Sequence, residues 1–172
     1  MPSVLPLFSP EGGIADQVVW WIEKAQDSVE LAGYSFTNWK IADALSDAPK
    51  RGVTVSVLLD RSQTHGKQAA IHDLLEKAGV HIRLVSPKGG IMHNKFLIVD
   101  GQLLEWGSYN YTNKAEHANF ENATFARDPE LALQYYRAFM QIYSSATFEV
   151  YGAKRPIWRF LRRIRSWFMT KF

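Results

Sequence analysis

The stretch that decides the fold is His93-Asn94-Lys95-Phe96-Leu97-Ile98-Val99-Asp100, which is followed by Gly107-Ser108-Tyr109-Asn110. In pattern form the two runs read H-x-K-x4-D-x6-G-S-x-N. If each fixed position matches at about one in twenty, a chance match in a chain this short has odds on the order of one in a million. The pattern therefore carries information about both the fold and the chemistry.

A tight turn separates the two runs. Asp100-Gly101 lies between the apolar residues 96–99 and 103–106, and this dipeptide is typical of a two-residue β-hairpin. We therefore expect two antiparallel strands here, with the second strand returning toward the residues that precede the first.

Four polar side chains should meet at the open end of this hairpin. His93 and Lys95 are two positions apart, so their side chains leave the same face of an extended segment. Ser108 and Asn110 are also two positions apart, and the antiparallel return can bring them beside the first pair. The pattern predicts that an imidazole, an ammonium, a hydroxyl and an amide converge on one patch.

The remainder of the chain alternates short β-branched runs with stretches of helical periodicity. Strands are predicted at residues 4–8, 29–36, 53–59, 81–85, 96–99, 103–106 and 122–126. Helices are predicted at residues 14–25, 39–48 with Asn38 as the N-cap, 68–78 and 129–143. Residues 53–59 form an uninterrupted apolar-rich run, which favours a place at the centre of the sheet. These patterns predict an α/β fold in which a mixed β-sheet is flanked by helices on both faces.

Composition limits the classes of protein to which the chain can belong. With 172 residues, 47% of them hydrophobic and 22% charged, the chain suits one globular domain, placed at residues 1–152. It has no apolar run of about 18 residues, so no membrane span is expected. The absence of cysteine excludes disulfides and thiolate metal sites. Residues 1–8 lack the features of a secretory signal, so the compartment is periplasmic or extracellular if a signal was removed and cytoplasmic otherwise.

The net charge of +3 conceals an uneven distribution. Residues 1–152 carry 13 basic and 17 acidic side chains, a net charge of −4, whereas residues 153–172 carry seven basic and no acidic ones. Within 153–172 apolar residues recur at helical spacing, which predicts a basic amphipathic C-terminal helix. Three interpretations stay open: the helix docks on the domain or across a dimer, binds nucleic-acid phosphates, or contacts an anionic membrane surface.

The converging side chains suit a phosphodiester. Lys95 supplies positive charge, and Ser108 and Asn110 can donate hydrogen bonds to non-bridging oxygens as negative charge builds on them. A neutral His93 can attack phosphorus and form a phosphohistidine that water later hydrolyses. The sequence offers no carboxylate cluster and no His-x3-His pair, so we expect neither a metal nor another cofactor.

The full pattern is the signature of the phospholipase D superfamily, and the chain resembles its small bacterial branch, the Nuc-type single-motif endonucleases. The similarity covers most of residues 7–150. Three weaker matches accompany the motif in order: Phe8-Ser9-Pro10-Glu11-Gly12, Tyr34-Ser35-Phe36-Thr37 and Glu121-Asn122-Ala123. This resemblance implies a phospholipase D-like fold and a metal-independent phosphodiesterase.

The resemblance also implies roles for individual residues. His93 would be the nucleophile. Lys95 and Asn110 would bind the phosphate, with Ser108 assisting them. Glu121 matches the acidic residue that holds the histidine ring in this branch, and by analogy it would accept the Nδ1 proton.

Two further motif residues are expected to be structural. Asp100 opens the hairpin turn and lies five positions beyond Lys95, on the opposite face of a regular strand. Gly107 begins the second part of the motif and offers no reactive group.

A single motif copy leaves the chemistry incomplete, because one histidine cannot readily be nucleophile and leaving-group acid at the same moment. Members of the superfamily with two copies fold them into one chain. The resemblance therefore implies that this chain forms a two-fold homodimer. His93 of one subunit would attack while His93 of the other donates a proton.

Three functions stay open. The motif, the small size and the basic tail favour a nonspecific endonuclease acting on DNA, with RNA as a further substrate, although the net charge of −4 on residues 1–152 is an objection. The same chemistry would serve a phospholipase D or phosphatidyl transferase acting on phospholipid. A non-catalytic dimeric module that binds nucleic acid would have no need of the nucleophile.

Overall fold

Seven short runs of apolar and β-branched residues pair into one mixed sheet in the computed structural model, which describes residues 4–145. The strands are β1 (Val4–Ser9), β2 (Ser28–Gly33), β3 (Thr54–Asp60), β4 (His81–Val85), β5 (Phe96–Val99), β6 (Leu103–Gly107) and β7 (Glu121–Arg127). The helices are α1 (Ile14–Lys24), α2 (Trp39–Asp47), α3 (Lys67–Lys77), α4 (Asn113–His117) and α5 (Pro129–Ser145). The predicted helix at residues 153–172 lies outside the described residues.

The order across the sheet is β1-β7-β6-β5-β2-β3-β4. β2, β3 and β4 run parallel, because α2 and α3 carry the chain back along the sheet between them. The remaining neighbours are antiparallel. The predicted mixed α/β sheet is therefore confirmed.

The predicted central position of β3 is wrong, because β3 lies second from one edge and β5 occupies the centre. An uninterrupted apolar run indicates that a strand is buried on both faces. The helices bury both faces of every interior strand, so the run does not show which interior strand is central. On β3, Val57 faces the core under α1, α2 and α3, whereas Leu58 faces the core under α5.

Helices cover both faces of the sheet, as predicted. Ile22 of α1, Leu45 of α2 and Ile71 of α3 are fully buried in the larger core. Phe139 of α5 packs with Ile98 of β5 in the smaller core on the other face. Within residues 4–145, none of the helices combines the length and the apolar character needed to cross a membrane.

β2 ends at Gly33 and does not continue to Phe36 as predicted. The chain leaves the sheet there, and the backbone N–H of Phe36 donates to Gln68 Oε1 at 2.8 Å. Asn38 then caps α2 as predicted, with its Oδ1 accepting backbone N–H groups of the first helical turn. Residues 34–38 therefore lie at the edge of the sheet where the parallel strands end.

The turn between β5 and β6 contains three residues rather than the predicted two. Val99 pairs with Leu103, so Asp100, Gly101 and Gln102 connect the strands. Asp100 and Gly101 adopt positive φ values of 53° and 63°, as an Asp-Gly turn requires. Gln102 is the extra residue.

The Asp100 side chain forms hydrogen bonds where β2 begins. Its Oδ1 accepts the backbone N–H groups of Asp27 at 2.8 Å and Ser28 at 3.0 Å, and the carboxylate also accepts that of Gln26. Because Phe96 pairs near the end of β2 and Val99 pairs near its start, Asp100 lies at the edge opposite to His93. The side chain links the α1–β2 connection to the hairpin.

Two glutamates are buried within the sheet. Glu30 on β2 and Glu105 on β6 have relative exposures of 5% and 0%, and burial raises the pKa of each carboxyl to about 8. A hydrogen bond acts in the opposite direction at Glu105, where the Tyr111 hydroxyl donates to Oε2 at 2.8 Å. Both carboxyls are therefore mostly protonated in the folded protein at neutral pH.

We expect Glu105→Gln to stabilise the protein in alkaline solution. The folded-state pKa of Glu105 lies above its ordinary value, so its contribution to stability is intact below about pH 4.5 and is lost as the pH rises through about 8. The neutral amide removes this loss. The free energy of unfolding should rise by about 3 kcal/mol at pH 8.5 and by less than about 1 kcal/mol at pH 5.

Urea denaturation of both proteins at the two pH values measures this difference. Glu23→Gln, at an exposed carboxylate of α1, is the matched control. An equal change in stability at both pH values would contradict the assignment of Glu105 as a buried neutral acid.

Candidate active site

The segment before β5 places His93 at the edge where β2 and β3 end. β5 begins at Phe96, as predicted, and His93 and Lys95 lie in the irregular segment that precedes it. Asp60 Oδ2 accepts the backbone N–H of Met92 in this segment at 2.6 Å. Asp60 is 2% exposed, and its Oδ1 accepts the backbone N–H of Ser62 at 2.9 Å. The backbone immediately before His93 is thus tied to the end of β3.

Lys95 lies back against the same segment. Its Nζ donates to the carbonyl oxygen of His93 at 2.7 Å, and the residue is only 8% exposed. Burial lowers the pKa of the Lys95 ammonium, and the negative charge of Glu121 acts in the opposite direction. A partly desolvated positive charge therefore lies beside the His93 backbone and within electrostatic range of Glu121.

Tyr34, the first residue after β2, contacts both side chains. Its ring centroid lies 4.9 Å from that of the exposed His93 imidazole and 5.5 Å from Lys95 Nζ. No hydrogen bond joins the His93 ring to another side chain within residues 4–145. His93 and Lys95 are thus brought together, with Tyr34 as their common neighbour.

Ser108 and Glu121 form the other side of the patch. Ser108 Oγ donates to Glu121 Oε2 at 2.5 Å and accepts the backbone N–H of Asn122 at 3.1 Å. The other carboxylate oxygen, Glu121 Oε1, accepts from Asn119 Nδ2 at 2.9 Å. Among the described residues, the Glu121 carboxylate therefore bonds to Ser108 and Asn119 and not to the His93 ring.

Gly107 allows β6 and β7 to approach closely at this point. The backbone N–H groups of Ser108 and Tyr109 both donate to the carbonyl oxygen of Asn122, at 3.1 and 3.3 Å. A Cβ added to Gly107 would lie 2.1 Å from that oxygen. No other residue fits, so Gly107 is required for the position of Ser108 relative to Glu121.

Asn110 lies between two buried tyrosines. Tyr109 donates its hydroxyl proton to Glu116 Oε2 at 2.7 Å, and Tyr111 bonds to buried Glu105 on β6. The Oδ1 of Asn110 is buried without a hydrogen-bond partner in the described part of the chain. The two tyrosines hold the backbone of Asn110 from both sides.

The strand register joins the two halves of the patch. Phe96 of β5 pairs with Trp106 of β6, so Lys95, one residue before this pair, lies next to Gly107, one residue after it. Glu121 acts electrostatically on Lys95 and bonds to Ser108, so His93, Lys95, Ser108 and Glu121 lie at one edge of the sheet, and Asn110 follows Ser108 by two residues in the chain.

One group of potential metal ligands occurs within residues 4–145, and it lies elsewhere. His72, Asp73 and Glu76 of α3 have ligand atoms within 4.8 Å of one another, and none of them belongs to the patch.

The motif and its geometry agree with a known family. Residues 18–143 match the family model described as cardiolipin synthase, PLD-like domain. The chain belongs to the phospholipase D superfamily. The predicted membership of this superfamily is confirmed.

Individual relatives lie within the same superfamily. A phospholipase D from Rickettsia conorii is 35% identical over 133 residues, covering 77% of this chain and 66% of that protein. A mitochondrial cardiolipin hydrolase from Chlamydomonas reinhardtii is 32% identical over 123 residues, covering 72% of this chain and 54% of that protein. The chain thus spans slightly less than two thirds of the first relative and about half of the second.

A solved structure is similar over a larger share. The phospholipase D family member Nuc from Salmonella typhimurium has a TM-score of 0.81 and 33% sequence identity, covering 89% of this chain and 100% of that one. The structural similarity therefore extends over the full length of the Nuc chain.

Some contacts of the site were not predictable from the motif. Asp60 binds Met92, next to His93, from 32 residues away, and its signal was a polar residue directly after a buried strand, where parallel strands place binding groups. Asn119 had no signal of its own. Tyr34 belongs to the weak match Tyr34-Ser35-Phe36-Thr37, but its place beside His93 requires the antiparallel pairing of β2 with β5, in which Ala32 pairs with Phe96.

We expect Gly107→Ala to destabilise the protein strongly. The new Cβ would overlap the Asn122 carbonyl oxygen, which belongs to the neighbouring strand and cannot move without breaking the β6–β7 register. The free energy of unfolding should fall by about 2–4 kcal/mol, as measured by urea denaturation.

Gly90→Ala is the matched control, because a Cβ there has no atom within 4 Å. Its effect should stay below about 1 kcal/mol. Equal losses in the two variants would show that any glycine-to-alanine change has this effect, and that the close approach at Gly107 does not determine the result.

Proposed function

We propose that this protein is a phosphodiesterase, a nonspecific endonuclease that cleaves DNA, with RNA as a further substrate, through a covalent phosphohistidine on His93. The observation that carries the proposal is the patch, in which the buried Lys95 ammonium bonds to the backbone carbonyl of His93, whose side chain is exposed, and Ser108 bonds to Glu121. The choice of nucleic acid is supported by the similarity to Nuc over the full length of that chain and by the resemblance to Nuc-type nucleases.

The reaction proceeds in two steps. In the first, His93 Nε2 attacks phosphorus, the bond from phosphorus to the leaving oxygen breaks, and that oxygen takes a proton from His93 of a second subunit. In the second, water attacks the phosphohistidine and gives a proton to the second histidine. The phosphorus–nitrogen bond breaks, and both imidazoles return to their starting states.

Charge stabilisation in both steps comes from the groups around His93. Lys95 is held in place by the His93 carbonyl, so its positive charge needs no reorganisation when a phosphate arrives. Asn110 Nδ2 and the Ser108 hydroxyl donate to the non-bridging oxygens. Because the ammonium is partly desolvated, its attraction for a phosphate oxygen is stronger than that of a fully hydrated lysine.

Glu121 has the role of orienting a catalytic histidine by accepting its Nδ1 proton. Its carboxylate lies in the patch but bonds to Ser108 and Asn119 within one chain. A two-fold dimer contains two copies of Glu121 and two of His93. The carboxylate of one subunit can therefore serve a histidine of either subunit.

The dimer follows from the chemistry. One chain contains one His93. The first step needs two histidines, a neutral one as the nucleophile and a protonated one as the acid.

A phospholipase D or phosphatidyl transferase acting at a membrane surface is the second candidate. It is favoured by the relatives named phospholipase D in Rickettsia conorii and mitochondrial cardiolipin hydrolase in Chlamydomonas reinhardtii. The seven basic residues of 153–172 could attract either an anionic membrane surface or nucleic-acid phosphates, so they support both candidates equally.

We expect plasmid DNA to be cleaved in excess EDTA and His93→Ala to lower the rate by at least about 1000-fold. The nucleophile and the electrophilic groups are side chains, so chelation should leave the rate unchanged. Rates on plasmid DNA, single-stranded DNA, RNA and anionic phospholipid vesicles are measured side by side for both proteins.

His65→Ala, at an exposed histidine outside the patch, is the control and should retain wild-type rates. His93-dependent turnover of vesicles without turnover of nucleic acid would replace the first candidate by the second. Loss of all cleavage in EDTA would overturn the metal-independent mechanism.

Mixed dimers test the shared site. If both copies of His93 act on one phosphate, random reassociation of wild-type and His93→Ala subunits leaves activity in proportion to the square of the wild-type fraction. An equal mixture should therefore retain about one quarter of the activity rather than about one half. The same proteins mixed without unfolding and reassociation provide the control, and a linear dependence after reassociation would contradict the shared site.

A further inference from the structure

The patch contains a residue that touches both reactive side chains and that has no role in the proposed chemistry. The Tyr34 ring lies 4.9 Å from the His93 ring, centroid to centroid, with an angle of 55° between the planes. Lys95 Nζ lies 5.5 Å from the same Tyr34 centroid, inside the range of a cation–π interaction. Among residues 4–145, the side chain that contacts the His93 imidazole is that of Tyr34.

Tyr34 is itself held from the other side. Gln63 Nε2 donates a hydrogen bond to the Tyr34 hydroxyl at 3.0 Å. Gln63 ends the short 3₁₀ turn Arg61–Gln63, whose first residues are fixed by Asp60. Because β2 and β3 are parallel neighbours, Tyr34 and this turn leave the sheet at the same edge.

One carboxylate thus connects the ring contact with the His93 backbone. Asp60 binds the N–H of Ser62, next to Gln63, and the N–H of Met92, next to His93. The buried Asp60 therefore holds both the backbone next to His93 and the turn that carries Gln63, whose side chain bonds to the Tyr34 hydroxyl. The distance between the two rings is set by Asp60 and by the end of β2.

We propose that Tyr34 is a positioning residue that selects the side-chain conformation of His93 and keeps the Lys95 ammonium beside it. The proposal rests on the proposed function, because it concerns the same site. An exposed imidazole can rotate about two torsions, and only a narrow range of orientations aims a ring nitrogen at phosphorus. The Tyr34 face restricts this rotation, while its electron-rich ring also attracts the ammonium.

The ring and the hydroxyl of Tyr34 make different predictions. Tyr34→Phe keeps the ring and loses only the bond to Gln63, so turnover should stay within about threefold of wild type. Tyr34→Leu removes the ring, and kcat should fall by about tenfold or more. KM should change by less than about threefold, because Lys95, Ser108 and Asn110 still bind the phosphate.

The experiment combines kinetics on the full chain with nuclear magnetic resonance of the His93 ring. Wild type and Tyr34→Phe should show Overhauser contacts between the ring at position 34 and the His93 ring. In Tyr34→Leu the His93 ring signals should lose their aromatic ring-current shift. Trp20→Leu is the matched control, since Trp20 is a half-exposed aromatic residue on α1 and should leave both readouts unchanged.

Three results would overturn the proposal: no Overhauser contact in wild type, unchanged His93 signals in Tyr34→Leu, or a kcat of Tyr34→Leu within about threefold of wild type. The contacts in wild type and Tyr34→Phe decide the matter even if Tyr34→Leu does not fold. If His93→Ala retains full turnover, the proposed function fails, whereas the resonance measurements still show whether Tyr34 positions the ring.

Discussion

The close pairing of β6 with β7 at Gly107 is the constraint on which the site depends. One carbonyl oxygen, that of Asn122, accepts two successive backbone N–H groups, from Ser108 and Tyr109. It lies where a side chain at position 107 would be. β6 ends at Gly107, and the next residue, Ser108, donates a hydrogen bond from its Oγ to Glu121. The glycine of the motif is thus a packing requirement that determines which polar atoms face each other.

The layer beneath the patch is polar and buried, and most of its groups are paired, whereas Glu105 Oε1 has no hydrogen-bond partner among the described residues. Tyr109 bonds to Glu116, which also accepts the backbone N–H of Ala15 at 3.0 Å, and Tyr111 bonds to Glu105. Burial keeps Glu105 mostly protonated near neutral pH, so the layer avoids an isolated negative charge. Apolar side chains would pack there at lower cost, but they would not fix the direction of the segment that carries Asn110.

Sequence patterns predicted the seven strands and the four longer helices because each carries a period or an apolar run that depends on local contacts alone. α4 has five residues and is started by Thr112, whose hydroxyl accepts the N–H of Ala115, so no amphipathic period could reveal it. The order of the strands was not predictable either. A run such as residues 53–59 reports burial, and burial does not distinguish the centre of a sheet from the strand next to its edge.

The motif named the candidate site residues, and their membership of the site stays a prediction. A hairpin is local, so the spacing of His93, Lys95, Ser108 and Asn110 indicates that they lie near one another. The contacts of Asp60 and Tyr34 join residues that are far apart in sequence, and a single motif has no information about them. The roles of the site residues, including Glu121 as an orienting carboxylate, stay predictions.

The proton of Ser108 links two of those roles. A hydroxyl has one proton to donate, and in the free chain it goes to Glu121 Oε2. Under the proposed mechanism Ser108 donates to a phosphate oxygen, so it must first release Glu121. That release removes one donor from Oε2 while Asn119 still bonds to Oε1, and a histidine Nδ1–H can then replace Ser108 as the donor to Oε2. Under the proposed mechanism, the hydrogen bond from Ser108 to Glu121 is therefore exchanged for two others, one from Ser108 to the phosphate and one from the histidine to Glu121.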